Sequence, residues 1–136
     1  MNDTPFVIPP EQIGEFWTEE RCHIRELVND PKLTAFSLAI ARVEPGVTTQ
    51  LHALKGISET YILRRGKGVA EVDGKNIPLS KGSSLFIPEG AAQRITNIGD
   101  EDLEFYCHCT PRFTPEAYTN LEPFKNTNPL SAPSSG

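Results

Sequence analysis

Short runs in which apolar and polar side chains alternate recur along the whole chain, set apart by Gly, Pro, Asn and Asp, and this period of two predicts strands rather than helices. Residues 21–28 and 33–44 read as strands with Asn29, Asp30 and Pro31 as the turn between them, and Pro45 and Gly46 close the second. Within 48–54 the alternation sets Gln50, His52 and Leu54 on one face, and within 58–64 it sets Glu59, Tyr61 and Leu63 on one face, with Lys55 and Gly56 joining the two. Residues 69–72 run into Asp73 and Gly74, a short-hairpin signal, and the return strand 77–79 carries Pro78, which marks a sheet edge. Residues 84–87 end in the turn Pro88, Glu89, Gly90, which feeds a strand at 93–97, and Gly99 and Asp100 turn the chain into 103–109. In that last strand Leu103, Phe105, Cys107 and Cys109 face inward, and Glu104, Tyr106 and His108 outward. The result is an all-β sandwich or barrel of about eight to ten strands. Residues 11–17 and 115–121 are predicted as short terminal helical segments, and the polar tail after Phe124 as loose.

At 136 residues the chain is one domain, divided into an N-terminal extension with the first strands (1–32), a barrel (33–113) and a C-terminal extension (114–136). Thirteen Lys and Arg against 18 Asp and Glu give a net charge of −5, which argues against nucleic acid and anionic membrane and leaves a small molecule as the expected partner. The start of the chain lacks the basic and apolar regions of a signal peptide, and no apolar run approaches the about 20 residues of a membrane span, so a cytoplasmic protein is expected. Cys22, Cys107 and Cys109 are odd in number and lack zinc-type spacing, which fits a reducing compartment.

Gly46, His52, Glu59 and Gly66, then Gly82, Pro88, Gly90 and Asn97, fit the spacing of two motifs, G-xxxxx-H-x-H-xxxx-E-xxxxxx-G and G-xxxxx-P-x-G-xx-H-xxx-N, with Leu54 and Gln93 at two of the histidine positions. In these residues the chain resembles the cupin superfamily, and specifically the short single-domain cupins described as like mannose-6-phosphate isomerase. The resemblance covers roughly residues 33–113 and implies a double-stranded β-helix, a jelly-roll barrel whose mouth holds a divalent metal on three histidines and one glutamate. It also implies a homodimer that pairs edge strands, for which Phe6, Val7 and Ile8 offer an exchangeable segment.

Carried onto this chain, the ligand positions are His52, Glu59 and Gln93, and Gln50, on the His52 face, is a substitute donor. One nitrogen and several oxygens suit iron(II), manganese or another octahedral metal better than structural zinc, although zinc stays on the list of candidates. The same side chains also make sense as a hydrogen-bonded polar cluster without metal. Cys107 lines the pocket, serves as a soft ligand in place of a missing histidine, or is a small buried hydrophobe, and Tyr61 either offers its hydroxyl to a substrate or fills the barrel. His23, His108, Arg64 and Arg94 point away from the site by alternation, whereas both faces of the strand bearing Arg42 are apolar enough to leave its direction open. Two functions follow. One is a metal-dependent enzyme of isomerase, lyase or dioxygenase type, with Glu59 or His52 as proton shuttle and Gln50, Tyr61 and Cys107 toward the substrate. The other is a metal-free, non-catalytic module that binds a small ligand.

Overall fold

A computed structural model describes residues 4–123. Among them eleven strands form two antiparallel sheets: β1 (Phe16–Thr18), β2 (Cys22–Val28), β3 (Ser37–Val43), β4 (His52–Leu54), β5 (Ser58–Arg65), β6 (Gly68–Val72), β7 (Lys75–Leu79), β8 (Ser84–Ile87), β9 (Gln93–Asn97), β10 (Leu103–Thr110) and β11 (Tyr118–Asn120). One sheet has the order β1-β2-β3-β10-β5-β8 and the other β11-β4-β9-β6-β7, so neighbours in space are often distant in sequence, as a jelly roll requires. The inward residues of both sheets, among them Val43, Leu63, Ile87, Ile95, Leu103 and Phe105, fill the space between them.

Both short terminal helical segments expected from sequence are present, each reduced to a 3₁₀ turn, with a strand in the remainder. Of 11–17, one 3₁₀ turn (Pro10–Gln12) remains, and Phe16, Trp17 and Thr18 instead pair with Ile24, His23 and Cys22. Of 115–121, a 3₁₀ turn (Pro115–Ala117) leads into β11, where Tyr118 pairs with Leu54. Neither segment is long enough to hold a helix by itself, and an open sheet edge supplies backbone partners that a lone helical turn lacks. The predicted strand at 33–44 shortens to Ser37–Val43, and Phe6, Val7 and Ile8 form no strand within the chain. The 48–54 strand shortens to β4 because residues 48–51 leave regular pairing, apart from a bridge between Thr48 and Thr96.

The hairpin at Asp73 and Gly74 is confirmed: both have positive φ, +48° and +84°, and Val72 pairs with Lys75 across them. Pro78 lies in β7, at the edge of its sheet. Two motif residues act on the framework rather than on the site. Gly66 has φ +87°, and a Cβ there would lie 2.8 Å from the Asp102 carbonyl oxygen, so only glycine fits. Asn97, buried at the end of β9, donates Nδ2 to the carbonyls of Val43 (2.9 Å) and Glu101 (2.8 Å), and its Oδ1 accepts the Gly99 N–H (2.8 Å).

Candidate functional site

Between the sheets lies a cavity of about 490 Å³, the size of a small-ligand pocket. Strand alternation sends Cys22, Ile24 and Glu26 of β2 into it, and likewise Glu59 and Tyr61 of β5 and Phe105, Cys107 and Cys109 of β10. His52 and Leu54 of β4 complete the facing wall.

Glu59 is the centre of the site. It is 7 % exposed, the Cys109 thiol donates to its Oε2 at 3.6 Å, and its Oε1 has no hydrogen-bond partner among the described residues. Burial pushes its carboxyl up to about 7; the Cys109 thiol opposes this, the Glu20 charge adds to it, and Gln93 and Cys107 oppose it again. His52 donates Nδ1–H to the Gln50 carbonyl at 2.8 Å, which leaves Nε2 as an acceptor with no protein partner among the described residues. Its ring stacks on Tyr118, centroids 4.8 Å apart, and burial lowers its pKa, so the imidazole is neutral at pH 7.

Tyr61 also lines the cavity, but its hydroxyl donates to Gln93 Oε1 at 2.6 Å and its ring packs on Phe105. Gln93 therefore lies behind the wall with its amide oxygen already engaged. Gln50 does not share the His52 face as the alternation predicted. The irregular backbone at 48–51 turns Thr49 inward instead, where its Oγ1 accepts the Ile95 N–H at 2.9 Å, while Gln50 Oε1 accepts the Tyr118 hydroxyl at 2.5 Å. Cys107 lines the cavity as a neutral thiol, its pKa raised well above the ordinary value by burial. Arg42 is resolved as outward-facing, paired with Glu15 at 2.8 Å and Asp102 at 3.1 Å, and His23, Arg64 and Arg94 pair with Glu44, Glu104 and Glu71 away from the cavity. His108 stacks on Phe36.

Glu20, Arg112 and Tyr118 line the same cavity and lie outside the motif positions, so no spacing in the sequence marks them. Glu20 arrives on the β1–β2 turn, where Arg21 takes a left-handed conformation (φ +71°). That turn is held by the Gln50 N–H on the Glu20 carbonyl (2.9 Å), by Arg21 Nε on the Thr48 carbonyl (2.9 Å) and by the Arg21–Glu122 ion pair. Burial pushes the Glu20 carboxyl up to about 7 as well.

The metal expected from the resemblance meets a poor donor set. Among the described residues no group of three or more His, Cys, Asp and Glu side chains is placed to hold an ion. Leu54 offers no donor atom, and Gln93, whose amide oxygen accepts from Tyr61, does not line the cavity, so of the four motif positions only His52 and Glu59 present donor atoms to it, fewer than a stable divalent site takes. The arrangement suits hydrogen bonding and proton transfer to an enclosed molecule.

Two antiparallel sheets closed around an internal cavity define a double-stranded β-helix, or jelly-roll barrel. The chain belongs to the cupin family: residues 39–109 match the Cupin domain (Cupin_2). It is 32% identical over 114 residues to the uncharacterized protein MJ1618 of Methanocaldococcus jannaschii, covering 82% of this chain and 91% of that one. It is 36% identical over 64 residues to the oxalate-binding protein of Thermotoga maritima, 47% of this chain and 53% of that one. Among solved structures, the fold resembles that of Pac13, a nucleoside dehydratase of Streptomyces, with a TM-score of 0.74 at 15% identity over 88% of this chain and 92% of that one. No helix among the described residues is long and apolar enough to cross a membrane.

Proposed function

We propose that the cavity binds a small, oxygen-rich molecule and that Glu59 exchanges a proton with it, in an isomerisation or elimination that needs no metal. The observation that carries this reading is Glu59 itself: a buried carboxyl whose side chain lines a ligand-sized cavity and whose Oε1 has no hydrogen-bond partner among the described residues. A carboxyl titrating near 7 is present in both protonation states at neutral pH, as a general acid–base requires. Neutral His52, with Nε2 open, would accept a ligand hydroxyl, and Tyr61 would act through Gln93 to fix the wall behind the substrate. The relatives support the class of ligand. One is named for oxalate binding, and structures of Streptomyces Pac13 variants carry uridine.

The test is deuterium exchange in D₂O with a panel of hydroxy acids, sugar acids and nucleosides, followed by NMR. Exchange or product formation by the parent, unchanged by EDTA and reduced about 100-fold or more in Glu59→Gln, is the expected result. Turnover that disappears with EDTA and returns with iron(II) or manganese would replace this reading by the metal-dependent one, with His52 and Glu59 as the ligands. Saturable binding without turnover, equal in parent and Glu59→Gln, would leave a non-catalytic binding module.

The homodimer belongs to the same proposal. The open edge strand β1 exposes Phe16 and Trp17, and Val7 is 85% exposed nearby in sequence, which provides an edge for a second copy. Light scattering at micromolar concentration is expected to give twice the chain mass, and a single-chain mass would remove the dimer.

A further inference from the structure

Arg112 stands just past the end of β10, and the cavity reaches it. The cavity extends along β2, since Cys22 and Glu26 both line it, a run of about 13 Å at strand spacing. Glu20 precedes one end of this run and Asn29 follows the other. At the Asn29 end, Arg112 is held in place by two bonds: its backbone N–H donates to the Thr34 carbonyl (3.1 Å), and its Nε donates to Asn29 Oδ1 (2.8 Å). Asn29 is fixed in turn, because Nδ2 donates to Glu26 Oε2 (2.8 Å) and to the Phe113 carbonyl (3.0 Å).

Among the described residues this leaves both Nη atoms of Arg112 without an acceptor, and Arg112 forms no ion pair there. Arg21, Arg42, Arg64, Arg65 and Arg94 each face a carboxylate within 4 Å and none of them lines the cavity. The nearest acid in this network, Glu26, reaches Arg112 only through the Asn29 amide, so the guanidinium charge is oriented but not cancelled. A guanidinium anchored through Nε presents its two terminal nitrogens as a flat pair of donors, the geometry that carboxylate and phosphate oxygens match.

We infer that Arg112 is the anion-recognition residue of the cavity, and that the ligand carries a carboxylate or phosphate at one end and a hydroxylated body that extends toward Glu59. The inference rests on the reading of the cavity as a ligand site and narrows its substrate class. The walls between the two ends, Ile24, Ala39 and Ala41 among them, are apolar and partly small, which favours a short carbon chain over a second charged group.

The experiment is an NMR titration of the full chain with three probes: 3-hydroxybutyrate, its methyl ester and glycerol 3-phosphate. The Arg112 Nε–H signal and the backbone amides of Glu59 and Cys107 are followed. Saturable shifts are expected with at least one of the two anions, with the ester bound about tenfold or more weaker. Whichever anion binds more tightly identifies the head group as carboxylate or phosphate. Arg112→Gln, with its spectrum otherwise unchanged, is expected to lose the preference for anion over ester, and Arg112→Lys to keep part of it; the lysine variant also serves if the glutamine variant does not fold. Anion binding by Arg112→Gln at parental affinity, or ester binding equal to that of the acid, would overturn the inference and leave the ligand site standing. Absence of any shift with all three probes in the parent would count against both.

Discussion

Glu59→Gln is expected to make the protein more stable above neutral pH while removing the proton exchange proposed for Glu59. The folded state holds the Glu59 carboxyl at about 7 against an ordinary value of 4.5, so it binds this proton more tightly than the unfolded chain does. The associated stability is therefore fully present below about pH 4.5 and is lost as pH rises through 7. The difference corresponds to about 3 kcal/mol of cost once the buried carboxylate is fully charged. Glutamine has the same shape and no charge, so thermal unfolding should show the variant more stable than the parent by about 2–3 kcal/mol at pH 8 and nearly equal at pH 5. Glu20 moves in the same direction and remains in the variant, which keeps part of the alkaline slope. His52 works oppositely: its pKa is lowered, so its contribution is present above about 6.5 and is lost as pH falls toward its folded value. Parallel pH–stability curves for parent and variant would show that Glu59 is not held neutral by burial. A gain in stability joined to a loss of turnover is the signature of a group kept at a cost for function.

The second large effect is expected at a residue that touches no ligand. Asn97→Ala removes three hydrogen bonds at once and strands the carbonyls of Val43 and Glu101 as well as the Gly99 N–H. Each buried group left unpaired costs about 1–3 kcal/mol, and the cavity left by the amide adds to this, so a loss on the order of 4 kcal/mol is expected in urea unfolding. Asn97→Asp should fare no better, since a carboxylate cannot donate to either carbonyl. A loss below about 1 kcal/mol would mean that water replaces the amide at no cost. The motif asparagine is thus a clamp between β3, β9 and the turn into β10, and β9 is the strand that carries Gln93.

The fold was legible because its signals are local. Alternation along β5, β9 and β10 decides which side chains face inward, and Asp73 with Gly74 and Pro78 decide a turn and an edge through backbone conformation alone. His52 and Glu59 were legible through the spacing of the motif that the chain shares with cupins, and the structure sets both against the cavity. Gln50 was misplaced because alternation is only a rule for regular strands, and the backbone at 48–51 is instead occupied by the β1–β2 turn and by Glu122. The helical parts of segments 11–17 and 115–121 are shorter than expected because the conformation of the remainder comes from partners distant in sequence, Cys22–Val28 for one and His52–Leu54 for the other.

The sequence alone determined an all-β barrel, the inward placement of Glu59, His52, Tyr61 and Cys107, and the absence of a donor at Leu54, since each follows from residue type and a period of two. Only the tertiary structure decided what surrounds those groups. It brought Glu20 to within electrostatic reach of Glu59, gave the Gln93 oxygen a bond from Tyr61, and, among the described residues, left Glu59 Oε1 without a partner and Arg112 at the end of the cavity with its Nη donors open. These are properties of distance and burial between segments far apart in the chain, and a hydrogen bond or a pKa depends on the partner and the medium as much as on the residue itself.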